Sequence, residues 1–266
     1  MAKDDSLSRP VALITGASSG IGAALAERFA TEGYDLVLVA RRAAELEERA
    51  HTLRTTTPVA IVTLPHDLES PDTVPLLLSQ LAALKLDIDI LVNNAGTAHS
   101  GRFAAMPHDA VTAMIDVNVR ALTALTRALL PGMLERKRGK ILNVASVASF
   151  QPVPAMAVYA ATKAYVLSFT EALAEELSKT GVTATALCPG LTNTPLVGRI
   201  GAGEVPTFAM LAPAEVAREG FEACMAGEVI RTPGITNRLT TTWMRYQPRW
   251  LVRRMAAMVS RFALDY

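Results

Sequence analysis

The sequence predicts an α/β fold, a doubly wound parallel sheet covered on both faces by helices in three layers. Two observations carry this. Short, nearly continuous runs of Val, Ile, Leu and Ala recur along the chain, as strands buried on both faces require. Longer segments of helical period separate them, and that alternation implies right-handed crossovers into one parallel sheet. The 266 residues, with a hydrophobic fraction of 50%, suit a single domain, 1–266, with a sizeable core. Charged residues are only 19%, which excludes intrinsic disorder. A net charge of +1 gives no global field toward nucleic acid.

The first expected strand, Val11–Thr15, runs into Thr15-Gly16-Ala17-Ser18-Ser19-Gly20-Ile21-Gly22 and then a helix, Ile21–Thr31. Glycines between a buried strand and a helix N-terminus let the backbone turn tightly and approach a pyrophosphate. This predicts a Rossmann-type dinucleotide site. The second strand, Asp35–Ala40, ends at Arg41 and Arg42, which open the helix Arg42–Arg54. An acid that would hold a ribose 2′-hydroxyl is expected about 20 residues past the glycines. Ala40 stands there instead, and two guanidiniums follow that suit a 2′-phosphate. NADP(H) is therefore favoured over NAD(H).

The third strand, Val59–Leu64, leads to His66-Asp67-Leu68, where Asp67 is either an adenine acceptor or a loop acid. After a helix at Val74–Leu84, the fourth strand, Ile88–Asn93, closes in Asn93-Asn94-Ala95-Gly96 at the carboxyl edge, where such folds bind ligands. A long helix is expected over Pro107–Glu135. The fifth strand, Lys140–Ser146, ends in Ser146, and Tyr159 and Lys163 share one face of the helix Met156–Lys179. A free phenol has a pKa of about 10, too high for a base at neutral pH, and a nearby ammonium favours phenolate. Such a tyrosine can pass a proton to or from an alcohol oxygen that Ser146 orients. The sixth strand is expected at Val182–Cys188.

Together these residues resemble a short-chain dehydrogenase/reductase of the compact, single-domain branch, over roughly residues 10 to 230. The glycine loop, Asn93-Asn94-Ala95-Gly96, Ser146, Tyr159-x-x-x-Lys163 and Pro189-Gly190 carry the likeness, with Asn118 at a fourth catalytic position. The resemblance implies that Tyr159 is the general acid/base, that Lys163 lowers its pKa and holds the nicotinamide ribose, and that Asn118 holds a relay water. It also implies Asp67 and Leu68 beside adenine, with Thr192 and Thr194 near the carboxamide. Thr192 departs from the branched apolar residue common there.

The charge-free segment from Val147 to Val158 contains Phe150, Val153 and Met156, so a hydrophobic carbonyl or alcohol substrate is expected. The implied enzyme is an NADP-dependent oxidoreductase. Its alternative is an idle NADPH-sensing module acting through the C-terminal helix. Glycines and prolines loosen the rhythm over about 191–227, which suggests a substrate lid.

The extension over about 238–266 is basic and amphipathic; positions 229–266 hold seven arginines and one acid. A helix over 249–264 is expected to bury Leu251, Met255, Met258 and Phe262 against protein, with peripheral membrane contact as the other use of the pattern. His51, His66, His99 and His108 lack ligand spacing, so no metal is expected. The opening residues carry no apolar core, and Pro152 and Pro154 interrupt the longest charge-free stretch. A cytoplasmic homodimer or homotetramer is expected.

Overall fold

The computed structural model describes residues 9–200 and 210–263. Its strands are β1 (Val11–Thr15), β2 (Asp35–Ala40), β3 (Ile61–Pro65), β4 (Ile88–Asn93), β5 (Gly139–Val144), β6 (Val182–Leu187) and β7 (Ile230–Arg231). They form one sheet in the order β3-β2-β1-β4-β5-β6-β7, every neighbouring pair parallel. The order reverses between β1 and β4, which places a crevice beyond their carboxyl ends. β7, at two residues, is too short to show any period in the sequence.

Helices α1 (Gly20–Thr31), α2 (Ala43–Thr56), α3 (Thr73–Ala83), α4 (His108–Ile115), α5 (Leu122–Glu135) and α6 (Ala157–Glu176) follow the expected crossovers. The long helix expected over Pro107–Glu135 is interrupted by a π-turn at Asp116–Ala121, which carries Asn118. Such turns commonly occur at functional sites.

Two apolar layers hold the helices to the sheet. On one face, Leu25 and Phe29 of α1 meet Leu36 and Leu38. On the other, Leu77, Leu125, Met133 and Leu173 cover Leu13 and Leu91.

The segment expected as a lid divides in two. A short helix, α7 (Pro195–Arg199), follows the sixth strand's loop, while α8 (Pro213–Ala226) belongs to the core. Val216, Ala217, Phe221 and Cys224 are buried against α1, and Phe221 meets Phe29 edge-to-face at 5.0 Å. Positions 213–226 of that expectation therefore belong to the core. Residues 201–209 of that expectation lie outside the described residues.

Beyond β7 the chain forms α9 (Ile235–Arg245) and α10 (Arg249–Ala263). Buried Glu219 of α8 anchors this extension: it accepts from Gly234 N at 3.2 Å and pairs with Arg231 and Arg238 at 3.3 and 3.5 Å. The inward face of α10 differs from the expected one. Val252, Ala256 and Ser260 are buried, Leu251 and Met255 are half-buried, and Met258 is exposed. Small residues at 256 and 260 let this side approach the body closely, which turns Met258 outward. The Phe262 side chain lies outside the described residues. No described helix is long and apolar enough to cross a membrane.

Candidate active site

Thr15 joins the two loops at the crevice. Its hydroxyl donates to Val92 O, and it accepts from Asn94 N and Ala95 N at 3.0 Å each. Asn94 returns the tie by donating to Thr15 O at 2.9 Å. Gly16, at φ +67°, takes the left-handed turn that a side chain disfavours. A Cβ on Gly22 would lie 2.2 Å from Gly16 O, so its role is close packing of α1 beneath the loop rather than ligand contact. Asn93 turns into the interior, donating to Thr126 Oγ1 and Asn143 Oδ1 at 3.0 and 2.9 Å.

A cavity of about 500 Å³ opens over this loop. Nearly all the expected residues line it: Gly16, Ser18, Ser19, Gly20 and Ile21, then Arg41, Arg42, Asp67 and Leu68, then Asn94, Ala95 and Gly96. Ser146, Tyr159, Lys163, Pro189, Gly190, Thr192 and Thr194 complete the set. Gly22 and Asn118 stand behind the wall.

The two arginines behave differently. Arg42 donates to Ser18 and Ser19 Oγ at 3.2 and 3.0 Å, which gathers a guanidinium and two hydroxyls at one point, and its other terminal nitrogen pairs with Glu45 at 3.4 Å. Arg41 pairs instead with Glu69 at 3.0 Å, an acid the sequence reading did not single out. Asp67 receives Glu69 N at 3.1 Å and so also shapes its own turn. The donor set suits a dinucleotide phosphate: a glycine cradle, a helix N-terminus, and Arg42 with two serines.

Ser146 caps the short turn after β5, accepting from Ala148 N at 3.1 Å. Ser149, another residue missed in the sequence, accepts from Ser146 N and donates to Lys163 O at 2.8 Å, tying that turn to α6. Lys163 Nζ donates to Val144 O at 2.7 Å and lies 5.9 Å from the Tyr159 ring centre.

The protonation pattern differs from expectation. Burial pushes the Tyr159 phenol above its ordinary 10, and its hydrogen bond with Ser146 is what opposes the rise. Burial also brings the Lys163 ammonium down to about 8. Desolvation penalises phenolate and ammonium alike.

Asn118 is buried and largely committed. Its amide donates to Thr97 O and Thr162 Oγ1 and accepts from Thr97 N, at 2.9, 3.0 and 2.9 Å. It anchors the strand-four loop to α6, and one carbonyl lone pair remains for a water. The sequence also gave no sign of Leu196, Val197 and Ile200, which cluster with Val153 and Met156 at the apolar end, or of Ser260, which joins the lining from α10. Among the described residues, no three His, Cys, Asp or Glu side chains gather as a metal site requires.

Comparison with known proteins agrees with this arrangement. The short chain dehydrogenase family profile matches residues 10–205. An uncharacterised oxidoreductase of Staphylococcus saprophyticus is 39% identical over 188 residues, 71% of this chain and 80% of its own. A short-chain dehydrogenase from Sphingobium yanoikuyae, solved in complex with NADPH, is 34% identical with a TM-score of 0.79, covering 90% of this chain and 97% of its own. A bulky-bulky ketone specific alcohol dehydrogenase from Comamonas testosteroni is 31% identical, with a TM-score of 0.77 and coverage of 90% and 95%. With its glycine loop at the sheet's switch point and Ser146, Tyr159 and Lys163 in one cleft, this chain belongs to the short-chain dehydrogenase/reductase family and is an NAD(P)-dependent oxidoreductase.

Proposed function

We propose that the protein interconverts a bulky, hydrophobic ketone and its alcohol, with NADP(H) as cofactor and Tyr159 as the proton carrier. One observation carries this reading: a single cavity holds the glycine loop with Arg42, the Ser146, Tyr159 and Lys163 side chains, and an apolar wall of Val153, Met156, Leu196, Val197 and Ile200. A bound nicotinamide supplies or accepts the hydride. Ser146 hydrogen-bonds the substrate oxygen and orients it. Tyr159, a phenol protonated at neutral pH, gives its proton to that oxygen in reduction and takes it back in oxidation. Lys163 holds the ribose side of the cofactor and links Tyr159 to a proton path. Asn118 positions the Thr97 loop at that path and offers its remaining lone pair to a relay water.

Arg42 with Ser18 and Ser19 favours a 2′-phosphate, so NADPH is preferred over NADH; the NADPH complex of the Sphingobium relative supports this. Gly20, Ile21, Leu68, Ala95, Pro189 and Gly190 shape the walls around the dinucleotide, and Asp67 accepts from adenine. Thr192 and Thr194 reach the carboxamide. The ketone preference of the Comamonas relative supports a bulky substrate. Exposed Phe103, Ile115 and Tyr165 rim an apolar groove with Val119 and Ala161, which suits a homodimer or homotetramer contact.

The test is NADPH oxidation against a panel of ketones graded from small to doubly bulky. Turnover that rises with bulk is expected and removes the idle-sensor alternative. No turnover of any ketone or alcohol, with NADPH bound, overturns the proposal.

A further inference from the structure

Helix α9 is built inside out. Its body-facing positions are Asn237, Thr241 and Met244, with Thr241 fully buried. Its outer face presents Ile235, Leu239, Trp243 and Tyr246, spaced by four, four and three residues. These are exposed by 75%, 67%, 44% and 82%, and Trp250 follows at 55%. Scattered exposed apolar residues need no explanation, but a contiguous stripe of large ones marks a surface that is covered in use.

The charge around the stripe selects what covers it. Arg249, Arg253 and Arg254 are exposed beside it, with Arg254 stacked over Trp250 at 5.8 Å. Positions 229–264 contain no Asp or Glu at all. A two-fold contact would set this face against itself, bringing arginines to arginines with no acid within 229–264 to pair them. An anionic lipid surface has the opposite demand: apolar groups below the headgroups, tryptophan and tyrosine at their level, and arginines against the phosphates.

We infer that the outer face of α9, with the start of α10, is a peripheral docking surface for anionic membranes. The helix lies in the headgroup plane and does not span the bilayer. Because α10 also places Ser260 in the wall of the cleft, docking brings the cleft near the phase in which a hydrophobic ketone dissolves.

The test uses the full chain and its own fluorescence, since both tryptophans of the protein, Trp243 and Trp250, lie on this surface. Vesicles of phosphatidylcholine alone are compared with vesicles containing phosphatidylglycerol, each with and without brominated chains. Blue-shifted, bromine-quenched emission is expected with phosphatidylglycerol only, and it is reversed by high salt. Leu239→Gln and the pair Arg249→Glu with Arg253→Glu change exposed side chains and leave the fold intact by circular dichroism. Each lowers vesicle partitioning by about ten-fold or more. Three results overturn the inference: no shift or quenching on anionic vesicles, binding that ignores both variants, or a larger assembly in solution that Leu239→Gln dissociates while vesicles are not bound.

Discussion

Lys163 Nζ donates to the main-chain carbonyl of Val144 at 2.7 Å, so the final residue of β5 sets the position of the active-site ammonium. The same strand end leads directly to Ser146. One sheet edge therefore aligns two of the three side chains proposed to handle the proton, and Ser149 ties the turn to α6, which carries the third.

The Lys163 environment makes stability depend on pH. Its ammonium titrates at about 8 in the folded protein against 10.5 ordinarily. Between those values the unfolded chain binds more protons, so this site's contribution to stability rises with pH, by up to about 1 kcal/mol per unit. Urea unfolding of the cofactor-free protein should show the native chain gaining on Lys163→Met as pH rises from 7 to 9. A difference that stays flat over this range contradicts the assigned shift.

Tyr159→Phe removes one hydroxyl from a buried phenol. Turnover should fall by about 10²–10⁴-fold, as expected for loss of general acid/base catalysis. NADPH titration and thermal unfolding should stay near the native values. Near-normal rates on an accepted ketone would take Tyr159 out of the mechanism.

Cofactor selectivity should rest on Arg42 more than on Arg41. Arg42→Ala removes the guanidinium that bridges Ser18 and Ser19. Loss of one charge-assisted bond costs about 1.5–3 kcal/mol, roughly 10- to 150-fold in NADPH Kd. NADH affinity should barely move. Arg41, which pairs with Glu69 and makes no bond to the two serines, should give a smaller loss; the reverse ranking would assign the 2′-phosphate to Arg41.

Gly22→Ala tests packing under the cofactor loop. The added methyl would stand 2.2 Å from Gly16 O and 2.3 Å from Asn94 Nδ2, so the loop must move. Overpacking of this kind costs about 1–3 kcal/mol. Both the melting temperature and NADPH affinity should drop, and an unchanged pair of values would show a loop far more pliant than the contacts imply.

Ser260→Trp adds bulk to the cleft wall from α10. KM should rise for doubly bulky ketones and stay level for small ones, with NADPH affinity unaffected. Equal kinetics across the panel would place α10 away from the bound substrate.

Much of this protein was legible along the chain because its signals are local. Buried parallel strands read as continuous apolar runs, the glycines sit within eight residues of one another, and Tyr159 and Lys163 are one helical turn apart. Elements β1, β2 and β4 coincide with the apolar runs. The two-residue β7 has no period to detect, and α8 was obscured because Pro213 and neighbouring glycines carry the composition of a loop.

The sequence by itself determined the fold class, the crevice and the residues that line it, since period and short spacing dictate which groups reach the carboxyl edge of the sheet. Only the tertiary structure decided how those groups are used. Glu69 reaches Arg41 across 28 positions, Asn118 spends its amide on Thr97 across 21, and Glu219 holds the extension through Arg231 and Arg238. It also decided that α9 turns Asn237 and Thr241 inward and its Ile235, Leu239 and Trp243 outward. An amphipathic pattern states that a helix has two faces; which face meets the body is settled by packing and by distant ion pairs, and no local period encodes those.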